Sequence, residues 1–401
     1  MKQKREKGML LKWQKFISNP LSSGSIVFIG LLFLFALFAY MFIPDKSEHA
    51  NTQHLALATK KPGFEVSFLK QKMNDLPQRK SVFRRFLTGK ERWHEMHALS
   101  SYDIRNDSIF IQEYTGVAED YKWQKSFHLV DILFSVDASF GISKMDDSYR
   151  FYDNEKGAFH EIDRKDLVSQ VKEDMIVKRK FFLGTDRFGR DLLSRLILGA
   201  RISLSIGFIA VIISLLLGIL LGSLSGYYGG WVDYIIMWFI NVVWSIPTLL
   251  LVIALTMVIG KGFWQIFVAV GLTMWVEVAR IVRGEVKSQC KLEYIEAARV
   301  TGLNDIRILL RHILPNIISP IVIIAASNFA SAILIEAGLS FLGIGVQPPI
   351  PSWGAMIRDH YGYIIVDKAY LAFIPGLSIM LLVLSFTLIG NGLRDAFDVR
   401  G

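Results

Sequence analysis

The sequence predicts an all-α polytopic membrane protein of six transmembrane helices, with a folded insert between the first helix and the second. Three observations predict it. The chain of 401 residues is 52% hydrophobic, with 28 Phe and 9 Trp, which is too apolar for an ordinary soluble domain. Its apolar residues gather into charge-free runs near both ends and leave a charged, mixed stretch between Pro44 and Lys180. Six of these runs reach the roughly 20 helical residues that cross ~30 Å of hydrocarbon.

The runs are 24–43, 203–225, 236–259, 263–282, 317–336 and 371–391. Ser25 to Ile43 is longer than a signal-peptide core and lacks a small-x-small cleavage pattern after it, so it reads as a retained anchor. In the second run, Gly218, Gly222 and Gly226 recur every four residues. That spacing strips one helix face of side chains and admits a close neighbour, from this chain or from a partner. Pro247 interrupts the third run, and Glu277 stands near the end of the fourth. Ala337 to Ile357 is also uncharged, but Gly338, Gly343, Gly345, Pro348, Pro349 and Pro351 break it. It reads as a re-entrant or surface loop and not as a seventh span.

Charge sets the expected orientation. Lys2, Lys4, Arg5, Lys7, Lys12 and Lys15 precede the first run, and a second basic group runs from Arg280 to Arg311. Basic residues confined to alternate short loops mark the cytoplasmic side. Residues 1–23 are therefore expected in the cytoplasm, 24–43 as the first helix and 44–180 as an extracytoplasmic insert. Residues 181–401 follow as the membrane core, with a cytoplasmic loop at 284–316 and a cytoplasmic C-terminus. The net charge of +9 belongs to these loops; no basic patch interleaved with aromatics points to nucleic acid. Cys290 is the single cysteine, so the insert holds itself by packing without a disulfide. Alternation in Ser108-Ile109-Phe110-Ile111 and in Phe127 to Leu133 predicts short strands around 108–150. The insert is expected to be a small α+β domain.

The most informative segment is Glu293-Tyr-Ile-Glu-Ala-Ala-Arg-Val-Thr-Gly302. It reads as a short helix stopped by Gly302 in the left-handed C′ position. Asn304 or Asp305 then caps a second helix. Ile306, Leu309, Leu310, Ile313 and Leu314 form one stripe at helical spacing, expected to pack on the bundle, and Pro315 ends it. Small Ala297 and Ala298 with Glu296 leave the first helix free to enter a groove on another protein. A short helix held between two spans transmits rigid-body motion.

Glu296-Ala297-Ala298, three residues, Gly302, and then Leu314-Pro315 resemble the EAA loop of ABC-importer permeases. His312 stands where the general pattern has isoleucine. Arg311-His312-Ile313-Leu314-Pro315-Asn316 nevertheless resembles the dipeptide/oligopeptide and nickel branch, as the second of its two paired permeases. Leu183 to Asp191, Gly226 to Gly230 with Asp233, and Leu339 to Gly354 are similar to the same branch. The resemblance covers about 1–43 and 181–401 and says nothing secure about the insert. It implies the type I permease fold and ATP-driven peptide import across the cytoplasmic membrane. Implied partners are a homologous second permease, two ABC ATPase subunits and an extracytoplasmic substrate-binding protein. Glu296, Ala297, Ala298, Gly302, Leu314 and Pro315 would contact the ATPase. Asp186, Gly189, Arg190 and Asp191, with Gly343, Gly345, Pro348 and Trp353, would serve binding-protein docking or gating. No cofactor or metal is expected on this chain; ATP and Mg²⁺ belong to the ATPase subunits, since no GxxxxGK[ST] occurs here.

Other readings weigh less. Asp186, Arg190 and Asp191 can equally form an ion-pair network that fixes a turn. Glu277 is expected to pair with Arg280, and Glu336 to reach the headgroups from a span end. A membrane-embedded enzyme needs a nucleophile and base inside the spans; Ser203, Ser205, Ser214 and Ser378 lie there without a histidine. A secondary transporter needs inverted repeats or ion ligands, and none is visible. Nickel or another small solute stays open as an alternative cargo.

Overall fold

The structure, a computed structural model, describes residues 12–75, 77–78, 80–116, 124–260 and 262–397. The basic residues Lys2, Lys4, Arg5 and Lys7 lie outside the described residues, as does the tail from 398 to 401. The chain divides into two compact units, 38–197 and 1–37 with 198–401.

The membrane unit is helical. α1 is Pro20–Leu37, α2 Leu192–Tyr228, α3 Gly230–Trp244, α4 Thr248–Ile259 and α5 Phe263–Gln289. α6 is Glu293–Val300, α7 Asp305–Ile308, α8 Ile318–Phe341, α9 Trp353–His360 and α10 Tyr370–Phe397. α1, α2, α5, α8 and α10 are each long and apolar enough to cross a membrane. α3 and α4 become a sixth span only as a pair, bent by 92° at Ser245–Pro247. The stretch expected as one span is thus broken where Pro247 lacks an amide hydrogen to donate and crowds the preceding turn.

The unit's core is divided by depth. Ile206, Ala210, Ile266, Phe267, Val270 and Leu339 fill one cluster. Val278, Val282, Val286, Ile295, Ile308, Ile313 and Ile317 fill another, beneath the loop 284–316. The glycine row of α2 packs within this chain. A Cβ added at Gly222 would meet the Ala279 carbonyl oxygen at 2.5 Å and Val282 Cβ at 2.9 Å, and one at Gly226 would meet the Arg283 oxygen at 2.7 Å. α2 and α5 therefore approach backbone to backbone.

The insert unit is α+β. Its strands are β1 Phe64–Lys72, β2 His94–Arg105, β3 Ser108–Glu113, β4 Gln124–His128, β5 Ile142–Met145, β6 Ser148–Asp153, β7 Ala158–Asp163 and β8 Ile176–Phe181. They make an antiparallel sheet in the order β4-β3-β2-β1-β8 and a three-stranded meander β5-β6-β7. Period-2 alternation buries both faces of β1. Leu69 joins the core of Ile109, Ile111, Tyr149 and Phe151, while Val66 and Phe68 join Leu57 and Phe181 on the other face. The strand predicted over Phe127 to Leu133 stops at His128. There the His128 ring accepts a hydrogen bond from the Val130 amide and caps a helix at Leu129–Leu133. Leu129, Val130, Ile132 and Leu133 are all buried. Spacing of i, i+1, i+3 and i+4 is helical; over so short a run it is hard to tell from a strand.

Candidate functional site: the loop 284–316

α5 runs on past the expected span to Gln289, and the loop proper begins at Cys290. α6 ends in a Schellman closure. Leu303 N–H donates to the Ala298 carbonyl at 3.2 Å and Gly302 N–H to Arg299 at 3.0 Å, with Gly302 at φ 74°. Glycine is required there because a Cβ is strained in left-handed backbone. Nothing lies within 4 Å of where that Cβ would stand, so the requirement is purely conformational. Asn304 then caps α7, its Oδ1 accepting from Ile306 N–H at 3.1 Å.

After α7 the backbone widens into a π turn at Leu309–Ile313 and tightens into a 3₁₀ turn at Leu314–Asn316. This bears out only part of the predicted apolar stripe: Ile313 is buried and Leu309 and Leu314 pack partly against the core, while Ile306 and Leu310 do not. Ile308, Ile313 and Ile317 are buried, whereas Ile306 and Leu310 are 62% and 56% exposed. The wider turn inserts one residue into the helical period and so rotates the buried face. The small-residue pair splits likewise. Ala298 faces the chain's own core beside Ile295, while Glu296 and Ala297 face outward with Val300. Leu314 packs partly against the same core, and Pro315 is exposed.

Polar contacts tie this loop to the spans, and periodicity could not have found them. Tyr227 Oη donates to Asp305 at 2.7 Å, and the Arg299 guanidinium sits 5.1 Å over the Tyr227 ring. The hydrogen bond between Arg299 and Tyr227 raises the arginine's pKa further above its ordinary value. One helix away, Arg283 Nε and Nη2 grip Asp233 bidentately at 2.5 and 2.7 Å. The available signal for that pair was an aspartate in the first turn of α3, where the helix dipole favours it.

The other candidates fall into separate places. In the insert unit, Asp186, Arg190 and Asp191 are 1%, 5% and 1% exposed. Asp186 Oδ1 accepts from the amides of Phe188 and Arg190 at 2.8 and 2.9 Å, and its Oδ2 accepts from Arg190 Nε at 2.6 Å. Asp191 Oδ2 accepts from Ser194 N–H at 2.8 Å and opens α2. Gly189, at φ 71°, presses on the His54 backbone. These buried residues fix a turn, the second of the two readings of this segment, and leave little side-chain surface of their own for a docking protein. In the membrane unit, Gly343 at φ 81° and Gly345 turn the chain back onto Leu339, whose carbonyl accepts from Gly345 N–H at 2.9 Å. Trp353 is buried against Gly199, and Pro348 is the exposed member of this set.

Residues 218–400 match the family described as binding-protein-dependent transport system inner membrane component. A glutathione transport system permease protein, GsiD, of Pectobacterium atrosepticum is 44% identical over 219 residues, covering 55% of this chain and 72% of that protein. A dipeptide transport system permease protein, DppC, of Alkalihalophilus pseudofirmus is 42% identical over the same length and shares. The chain belongs to this family of transport-system inner membrane components. It is a multi-pass transport subunit of an ABC importer and not an enzyme. A structure of the MetNI methionine ABC transporter in inward facing conformations is 18% identical, with a TM-score of 0.43, covering 52% of this chain and 98% of that one.

The permease match includes the loop 284–316 and leaves the insert outside it. Two acidic residues of the permease spans depart from expectation. Glu336 is fully buried, its Oε1 accepting from Ser340 Oγ at 2.7 Å, and does not reach a headgroup layer. Glu277 is exposed and unpaired among the described residues, because Arg280 stacks instead on Trp244 at 3.8 Å.

Proposed function

We propose that this permease moves short peptides across the cytoplasmic membrane and is driven through α6 and α7 by ABC ATPase subunits. The observation that carries the coupling role is the exposed face of the loop. Glu296, Ala297, Val300, Ile306 and Leu310 turn away from a backbone clamped by the Gly302 closure and by the buried Ile295, Ile308 and Ile313. An apolar patch with a peripheral carboxylate on a rigid two-helix element fits a groove on a separate protein. The partners are then a homologous second permease, two ATPase subunits that hold ATP and Mg²⁺, and a substrate-binding protein on the far side. Both termini and this loop lie in the cytoplasm. The glutathione and dipeptide permeases among the relatives support a peptide cargo.

The test is Gly302→Val. A β-branched residue at φ 74° costs about 1–2 kcal/mol of local strain, concentrated in the turn that aims α6 at α7. Uptake of a labelled dipeptide is expected to fall about tenfold, with loss of co-purifying ATPase, while Gly302→Asn, which tolerates left-handed backbone, retains most of both. Uptake and ATPase attachment unchanged in the valine variant would sink the coupling role. Transport of labelled nickel in place of any peptide would overturn the cargo alone. A second variant, Ile306→Asp with Leu310→Asp, alters only exposed side chains. It should leave the purified chain's melting unchanged and release the ATPase.

A further inference from the structure

The insert unit holds a cavity of about 840 Å³, open to solvent, between the segment 44–54, β1, the stretch 90–96 and β8. Nothing in the family match reaches it. Its volume is that of a small-molecule site.

Two of its lining residues, His54 and Arg179, each hold a buried side-chain nitrogen with no hydrogen-bond partner, Nε2 and Nη2. Buried polar nitrogens left unpaired cost about 1–3 kcal/mol each, so a fold that keeps two in residues lining one cavity normally has something to bond there. Both side chains are held by ring contacts that leave those atoms free. The His54 ring lies 4.8 Å from that of Phe68, and the Arg179 guanidinium 5.1 Å over Phe181.

The charge around them is lopsided. Lys46, Lys70, Lys90 and Arg92 line the same cavity with Arg179. Three carboxylates also line it, but two are already engaged. Asp45 accepts from the amides of Ser47 and Thr52 at 3.0 and 3.1 Å and from Thr52 Oγ1 at 3.1 Å. Glu91 is held by Arg85 at 3.2 Å and by the Lys80 amide. Glu95 remains as the exposed exception. Burial, and then the charge of Arg179, lower the His54 pKa to about 4, so at neutral pH the imidazole is an uncharged hydrogen-bonding partner beside a permanent cation.

We infer that this cavity binds the oxyanion of a small solute, with Arg179 and His54 as its anchors. A guanidinium, with the imidazole beside it in the tautomer that carries its proton on Nε2, suits a carboxylate or a phosphate equally. The surrounding lysines raise the local concentration of either. The site is independent of the coupling loop and of the identity of the transported cargo.

The experiment is calorimetric titration of the full chain in nanodiscs of uncharged lipid. The probes are inorganic phosphate, a tripeptide with a free C-terminal carboxylate, and the same tripeptide as its C-terminal amide. Saturable binding of phosphate, or of the free tripeptide but not its amide, supports the inference and names the source. Arg179→Met and His54→Phe are each expected to weaken that binding at least tenfold, a factor within reach of one charge-assisted hydrogen bond. Arg179→Lys should recover part of it. Melting of each variant is followed alongside, and the exposed Arg105→Ala, away from the cavity, serves as a variant that leaves binding unchanged. No saturable binding of any probe to the wild type, equal binding of acid and amide with none of phosphate, or full affinity in a folded Arg179→Met overturns it.

Discussion

Asp186→Ala is expected to destabilise the insert unit by about 3–5 kcal/mol, the cost of leaving a buried cation without its partner. The geometry sets that magnitude. Arg190 is 5% exposed and gives its Nε to Asp186 at 2.6 Å, and Arg195 stands 3.7 Å from the same oxygen. Asp186 also organises backbone. Its side chain takes two amides of the turn, and its main-chain oxygen takes the Thr59 amide at 2.9 Å. The truncated variant therefore loses a charge pair and the turn that clips 54–60 to the start of α2. Hydrogen exchange of the Thr59, Lys60 and Arg190 amides checks this; these should open in the variant before the amides of β1 and β2. Asp186→Asn keeps the acceptor and drops the charge, so it should fall between. A wild-type exchange pattern in Asp186→Ala would show that the cluster is incidental to the fold. Replacing Asp186 and Arg190 together by leucine should cost less than the alanine change alone, since a lost pair is cheaper than a stranded charge.

The same cluster marks one limit of reading the sequence. Two carboxylates around an arginine announce an ion-pair network, and composition says no more. Whether the network is a surface for a partner or a buried rivet depends on residues 54–60, more than a hundred positions away. Local signals fared better. The left-handed stop at Gly302, the Asn304 cap, the break at Pro247 and the strand at 108–111 all follow from one or two residues and their backbone preferences. The apolar stripe after Asn304 held at Leu309, Ile313 and Leu314 and failed at Ile306 and Leu310, because a π turn, which sequence does not announce, shifts the helical period. Ile308 was thereby missed as the core residue, and Ile306 was wrongly placed inside. Glu277 and Glu336 misled for a related reason. A carboxylate near a span end can pair, reach the headgroups or be buried, and the choice is made by neighbouring helices. Arg280 found an aromatic face at Trp244 and left Glu277 exposed.

The largest effect in the membrane unit should come from Gly222→Leu. A Cβ at this position already meets the Ala279 carbonyl at 2.5 Å and Val282 Cβ at 2.9 Å, contacts that real Cβ atoms do not make. Two of the opposing atoms are backbone, so relief requires α2 and α5 to separate along the row from Gly218 to Gly226. Inside a bilayer the helices gain little from hydrophobic transfer and rely on close packing. Overpacking of this kind costs ~1–3 kcal/mol or more even where neighbours can shift. Separation would also pull apart Asp233 and Arg283, which bridge α3 to α5 beside the row, and loosen the floor on which Ile295 and Ile308 sit. The expected result is a sharp loss of protein recovered as a monodisperse complex in mild detergent, with no dipeptide uptake. Gly222→Ala should show the same defect in milder form. Gly284→Ala on α5 is the counter-case. That glycine is exposed, helical and has nothing within 4 Å of its added Cβ. Alanine there should raise stability by up to about 1 kcal/mol through helix propensity. If Gly222→Leu and Gly284→Ala behave alike in recovery and melting, the glycine row does not set the α2–α5 distance. The small-residue spacing in α2 would then need a different cause.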